Sequence, residues 1–358
     1  MLSGALPQPL TFYNDPLRCK NITGYDIVAC SWWTFINNGT APAPILVQFP
    51  IVKAVVRAMD TITDYVKKEF GHNVTKFTLA GLGLGGWISW LTAAVDKRVE
   101  AIAPVAMDFL NFTKSFKHHY RAYCGWSYMM RPFYKMNITQ ELDNPRFQEL
   151  ASHLDPLEYN ERYANVTKYI IVLSGDEFFP PDNSRYYFPQ LEGPKRILIM
   201  PNTDYLNLRK NKLLQRITSF YFTVVEKKYT PYKISWEMNM TNTSGTISLT
   251  AYNTHRVYSH HAGTVDNTRR DFRMKRAAGN SSQDNPVKWI RTDVKEVKRN
   301  VYKKEMTFPE NGWRGFFLDV TFPSNKFGPF METTEMLIMP DTYPCHDCHE
   351  DGCHGRIV

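Results

Sequence analysis

The segment Thr78-Leu79-Ala80-Gly81-Leu82-Gly83-Leu84-Gly85-Gly86-Trp87 restricts the fold of this 358-residue chain more than any other stretch. An apolar strand runs into an apolar helix with only a glycine-rich turn between them. Glycine permits positive φ and close backbone approach, and such a turn needs both. The spacing Gly81-x-Gly83-x-Gly85 frames a nucleophile elbow, Gly-x-nucleophile-x-Gly, which lifts a reactive side chain over the end of a sheet. Position 83 is glycine, and it has no side chain with which to attack a carbonyl. Gly81, Gly83 and Gly86 also fit G-x-G-x-x-G, whose amides can hold a dinucleotide pyrophosphate, with Asp108 about where the acidic ribose partner belongs. The plain alternative is a tight strand-to-helix turn with no ligand.

The surrounding pattern is that of a buried parallel sheet. Ile51, Val55, Met59, Ile62 and Val66 recur at helical spacing and predict a helix over 50–70. A strand over 74–80, the glycine turn, a helix over 85–95 and the unbroken apolar strand Val99–Val105 follow in order. Residues 24–36 read as an apolar segment entering the core. Residues 109–165 are aromatic and helical, as in an insertion capping the sheet. Strands over 168–173 and 196–200 then alternate with helices over 183–191 and 206–221. In an α/β hydrolase the nucleophile, acid and base come in that order. Asp176, after the strand 168–173, suits the acid. Tyr205, in Pro201-Asn202-Thr203-Asp204-Tyr205, stands where a His would serve, and a phenol with pKa near 10 is a poor base at neutral pH.

Beyond residue 230 the texture changes to short β-branched and aromatic runs, 234–240, 246–251, 287–292, 301–307 and 315–322, punctuated by Gly, Asn and Pro. They predict a small β sandwich. The expected organisation is an α/β domain over 1–230 with a cap at about 109–165, a β domain over 231–340 and a Cys/His-rich tail over 341–358.

Nine N-x-S/T sequons occur, at Asn21, Asn38, Asn73, Asn111, Asn137, Asn165, Asn239, Asn242 and Asn280. With 23 Asn and 45 Ser plus Thr in the chain, chance supplies about three, so the excess favours passage through a secretory pathway. The first 14 residues nevertheless have no basic and apolar leader pattern, and no stretch is apolar for long enough to span a membrane. A missing N-terminus reconciles the two: the chain is expected to start after the opening strands of its sheet, and to fold poorly without them. The net charge of +8 is spread out and accompanied by no nucleic-acid motif, so no nucleic-acid partner is expected. In the tail Cys345-His-Asp-Cys348-His-Glu-Asp-Gly-Cys353-His354, a disulfide such as Cys348–Cys353 competes with a zinc site. The disulfide is expected, with no metal and no cofactor. His118 and His119 are adjacent, so their side chains diverge, which suits structural roles. Asp108 and Asp176 are acids at sheet ends, available either as a carboxylate pair or as turn formers. Arg273-Met274-Lys275-Arg276 looks like a basic site for proprotein processing.

Several segments together resemble the family of PhoPQ-activated pathogenicity-related and autocrine proliferation repressor A-like proteins. They are Pro50–Asp60, Gly86–Asp96, His118–Tyr123, Ser174–Phe179, Arg270–Arg273 and the ending Cys348…Cys353-His354-Gly355, spread in order over nearly the whole chain. The resemblance implies an extracellular protein with an α/β-hydrolase-like domain followed by a β domain. It also exposes departures. The family's elbow is similar to G-A-S-K-R-G-W, so Gly83 replaces the serine, and Leu84 and Gly85 replace the basic pair. The family's later turn is similar to P-N-A-D-H, so Tyr205 replaces the histidine. The expectation is therefore a secreted, catalytically silent relative that binds an unidentified extracellular protein or receptor. The alternatives are an esterase or peptidase with an unrecognised nucleophile and a nucleotide site at the Gly81–Gly86 turn.

Overall fold

Alternating strands and helices build the first half of the molecule. The computed structural model describes residues 4–12, 19–205, 207–208, 212–226, 232–279 and 281–358. Asn280, Leu206 and the boundary at 230–231 lie outside them. Helix α1 (Tyr25–Asn37) is buried on most sides, and α2 (Gln48–Phe70) ends where Gly71 turns left-handed and donates its N–H to Lys67 O at 3.1 Å. Strand β1 (Phe77–Leu82), α3 (Leu84–Val95) and β2 (Val99–Val105) follow as one βαβ unit. The cap holds α4 (Phe112–Tyr123), α5 (Arg131–Lys135) and α6 (Pro145–Leu154). Asp155, just past α6, accepts the first N–H groups of α4 from Asn111 at 3.1 Å and Phe112 at 2.8 Å. One side chain thereby caps a helix more than forty residues away in sequence and fixes the two helices together.

Strands β3 (Thr167–Leu173) and β4 (Lys195–Met200) complete a parallel sheet of order β1-β2-β3-β4. The expected helix over 183–191 is instead a pair of short 3-10 turns, Asn183–Tyr186 and Phe188–Gln190, with Pro189 at the start of the second. Helix α7 is shorter than the spacing predicts, Leu213–Phe220, and runs into a π turn. The apolar stripe of α2 is buried at Ile51 and Met59, whereas Ile62 lies 47% exposed.

The second half is antiparallel. Strands β5 (Ile234–Met240), β6 (Ser244–Ala251), β7 (Arg256–Gly263), β8 (Lys275–Ala278), β9 (Ser281–Asp284), β10 (Ile290–Asp293), β11 (Glu296–Lys298), β12 (Val301–Thr307), β13 (Arg314–Asn325), β14 (Gly328–Thr333) and β15 (Leu337–Met339) form two larger sheets and a hairpin. The sheets run β11-β12-β6-β5 and β10-β7-β13-β14, with β15 also on β13 and β8 paired to β9. Ile247, Leu249, Val257, Phe316, Leu318 and Val320 fill the layer between them. The molecule is thus α/β-hydrolase-like in its first part, with antiparallel β sheets in its C-terminal part.

Three disulfides tie the chain, Cys19–Cys30, Cys124–Cys345 and Cys348–Cys353. All three tail cysteines are consumed in them, which removes the thiolates a zinc site would use. No helix among the described residues is long and apolar enough to cross a membrane.

Candidate functional site

The end of β1 places Gly83 at the elbow. Its backbone is held at φ 54°, ψ −117°, at the N-cap of α3. Its N–H donates to Val105 O at 2.8 Å and its carbonyl accepts from Trp87 N at 3.0 Å. This is a strained conformation for any residue with a Cβ. The neighbouring glycines differ in why they are needed. A Cβ on Gly81 would lie 2.2 Å from the Gly85 carbonyl group, and one on Gly86 would lie 2.9 Å from Met107 Cβ and 3.0 Å from Gly81 O. A Cβ on Gly85 would meet nothing within 4 Å. The sterically required pair is therefore Gly81 and Gly86, not Gly81 and Gly85.

The space a nucleophile would occupy is already filled. A Cβ at position 83 would lie 2.7 Å from the Tyr205 hydroxyl and 3.0 Å from the Tyr25 hydroxyl. The N–H of Leu84 lies near the Tyr25 phenol and works against the effect of burial on it. In hydrolases the residue after the nucleophile supplies an N–H to the oxyanion; here the Tyr25 phenol stands beside that position. Burial, reinforced by Tyr205 and then by Asp176, pushes the Tyr25 phenol above its ordinary range. Burial and the nearby acids Asp176 and Glu177 do the same to Tyr205. Both phenols stay neutral, and neither suits a nucleophile or a general base.

Asp176 stands beside these rings. Its Oδ1 accepts from Phe178 N at 2.7 Å and Phe179 N at 3.3 Å. Burial raises the carboxyl to about 8 against those bonds, with Glu177 and Asp108 adding to the rise. It is then a neutral acid near pH 7, whereas a triad acid is ionised to orient and stabilise an imidazolium. Glu177 Oε2 accepts the backbone N–H of Tyr205 at 3.1 Å and fixes that turn. The structure thus brings Gly83, Asp176 and Tyr205 together. Tyr25, which the sequence reading did not single out, completes the group. Only its place on α1 over the elbow reveals it, and no motif marks it.

The adjoining pocket is lined by Tyr25, Trp32, Trp87, Phe109, Phe133 and Phe179, among others, and has a volume of about 20 Å³. That is room for about one water molecule. Tyr25 packs on Phe178 at 4.9 Å, and Trp32 meets Trp87 edge-on at 5.8 Å.

The other candidates go to structural roles. Asp108 is buried and accepts the Tyr187 hydroxyl. Burial raises it to about 7, and it is not presented to a ribose. Its carboxylate is not hydrogen-bonded to that of Asp176 among the described residues. His118 and His119 diverge: His118 Nε2 lies 3.0 Å from Asp182 Oδ1, while His119 Nε2 accepts from Ser127 N at 3.0 Å. Arg270 grips Asp182 through both guanidinium ends at 3.0 and 2.6 Å, and Tyr343 closes on His118 Nδ1 at 2.9 Å. This buried network joins the cap, the loop after β3, the β region and the tail. Burial lowers His118, whereas Arg270 and His118 hold Asp182 well below the usual carboxylate range. The dibasic stretch is not offered for cleavage. Arg273 is buried on Asp271, and Arg276, on β8, pairs with Asp266 and Asp271. Seven sequon asparagines are exposed: Asn21, Asn38, Asn73, Asn137, Asn165, Asn239 and Asn242. Asn111 is half-buried and its amide donates to Tyr186 O at 3.0 Å.

Comparison with known proteins matches residues 4–273 to the family of the PhoPQ-activated pathogenicity-related protein. Autocrine proliferation repressor protein A of Dictyostelium discoideum is 30% identical over 367 residues, a match covering 97% of this chain and 73% of that protein. Among solved structures, an acetyl xylan esterase from Paenibacillus sp. R4 is similar at 15% identity and a TM-score of 0.37, over 52% of this chain and 57% of the esterase. The 2,6-dihydroxy-pseudo-oxynicotine hydrolase is similar at 14% identity and a TM-score of 0.35, over 48% and 47%.

Proposed function

This chain belongs to the PhoPQ-activated pathogenicity-related protein family, and we propose that it is a pseudo-hydrolase, acting by binding rather than by catalysis. One observation carries the reading. The space a nucleophile at position 83 would need is occupied by the phenols of Tyr205 and Tyr25. Each catalytic role then lacks its chemistry: no side chain at 83, a neutral carboxyl at 176 and a neutral phenol at 205. Removing one triad member already costs several orders of magnitude in rate. The test is labelling of the purified protein by a fluorophosphonate probe, beside an active serine esterase. No labelling is expected. Labelling that disappears when one serine is changed to alanine would establish a working nucleophile and overturn the proposal.

The proposed setting is extracellular, with an unidentified protein or receptor as partner and a repressor-like signal as its role, after the Dictyostelium relative. Sequons in excess, seven of them exposed, and three disulfides support this setting. Expression behind a supplied signal peptide in a secretory host followed by glycosidase treatment tests it. A product that stays inside the cells or keeps its gel mobility after treatment would count against it.

A further inference from the structure

A second cavity, of about 410 Å³, lies between the α/β part and the β part. One wall is formed by β4 and Arg216 of α7, and the other by one face of the five-stranded sheet. Register defines that face. His260 is opposite Arg291 on one side and Phe317 on the other, and Tyr258 is opposite Asp293 and Asp319. Residues two apart on a strand share a face, so Tyr258, His260, Arg291, Phe317 and Asp319 point the same way. A sheet face turned against another layer is normally apolar. This one carries a carboxylate and an imidazole, each only 5% exposed.

Their hydrogen bonds are incomplete. His260 Nε2 lies 3.3 Å from Asp319 Oδ2. With the carboxylate as the acceptor of this bond, Nε2 is its donor and Nδ1 is left as an acceptor. His260 Nδ1 and Asp319 Oδ1 are both buried without partners, and so is Arg216 Nη1 across the cavity. Arg291, on the rim, lies over the Tyr258 ring at 4.4 Å. Asp319 forms no ion pair with either arginine among the described residues. Unpaired buried polar and charged groups are destabilising, and here groups of opposite character face one space. Arg216 on one wall, and Asp319 and His260 with Arg291 at the rim on the other, call for a molecule with both complements.

We propose that this cavity binds a small zwitterion of the α-amino-acid kind, its carboxylate on Arg216 and Arg291 and its ammonium on Asp319 and His260. A simple anion would be repelled by Asp319, and a simple cation by the two arginines. The volume falls within the range of small-molecule sites. The site uses none of the groups at Gly83, so it stands whether or not that elbow is silent.

The test is ligand-observed NMR on the full chain with the twenty L-amino acids, first pooled and then singly up to 10 mM. One amino acid or a chemically related few should bind. The matching amino-acid amide lacks the carboxylate and the N-acetyl form lacks the ammonium, and each should bind at least tenfold more weakly. Asp319→Asn and Arg216→Met should each weaken binding at least tenfold. Rim-exposed Arg291→Gln should weaken it severalfold without disturbing the fold. The proposal is overturned if no amino acid binds at 10 mM or if the blocked forms bind as well as the parent. Binding that survives all three substitutions, or binding of glucose or N-acetylglucosamine in place of the amino acids, also overturns it.

Discussion

Gly83→Ala should destabilise the protein strongly, and the structure sets the size of the effect. The position is held at φ 54°, ψ −117°, where a non-glycine residue is strained by about 1–3 kcal/mol. The new methyl would also lie 2.7 Å from the Tyr205 hydroxyl and 3.0 Å from that of Tyr25, an overpacking that costs about 1–3 kcal/mol. Relaxation of the Tyr205 ring offsets part of the sum, and a loss of about 3 kcal/mol is expected. Tyr205→Phe removes the 2.7 Å contact but leaves the backbone strain and the ring carbon at 3.3 Å. In that background Gly83→Ala should therefore cost about 1 kcal/mol less, the coupling expected of residues in contact. Gly85→Ala is the control. Its methyl meets nothing within 4 Å and it lies in the first turn of α3, so it should be neutral or stabilising by up to about 1 kcal/mol. Urea unfolding of the four variants and the parent chain measures all of this. A Gly83→Ala protein within about 0.5 kcal/mol of the parent, or a penalty unchanged by Tyr205→Phe, would refute the account of a space filled by the two phenols.

Asp176 makes stability depend on pH with a definite sign. Its folded value, about 8, lies above the unfolded one, so its contribution is complete below about pH 4 and is lost as pH rises through 8. The loss is at most about 1.4 kcal/mol per pH unit, and Asp176→Asn should flatten the difference between urea midpoints at pH 5 and 7. Arg270→Met strands the buried Asp182 carboxylate and should cost about 3–5 kcal/mol. Arg185→Met, whose side chain is 38% exposed, should cost about 1 kcal/mol or less in the same melts. Removing Cys124–Cys345, which closes a separation of 221 residues, should cost about 5 kcal/mol, against about 2 for Cys348–Cys353, which closes 5; equal losses on substituting each pair by alanine would contradict that ordering. Mass spectrometry of glycopeptides from a secretory host should find glycans at the seven exposed sequons and little at Asn111, whose amide is engaged within the fold.

Local pattern was enough for much of this protein. Strand Val99–Val105 and strands Ile234–Met240 and Val301–Thr307 were legible because their apolar or alternating runs are short-range signals bounded by turn residues. That position 83 brings no side chain to the elbow was equally legible, since a glycine can be read without coordinates. The helix expected over 183–191 was misread, because its apolar residues answer to packing under the cap rather than to helical periodicity. Strands β7 and β14 went unread for a related reason. His260 and Glu332 are buried polar residues that make sense only beside Asp319 and Arg196. Tertiary structure alone decided what occupies the elbow. Tyr25 and Gly83 are nearly sixty residues apart, and nothing local marks a phenol that will fill the space over one particular glycine. It likewise decided that Cys345 reaches back to Cys124 rather than to its neighbours in the tail. Sequence carries the periodicities that choose helix or strand and the residue types that permit or forbid a reaction. Which distant groups meet, and so which charges are neutralised and which hydrogen bonds stay open, is set only when the layers close on one another.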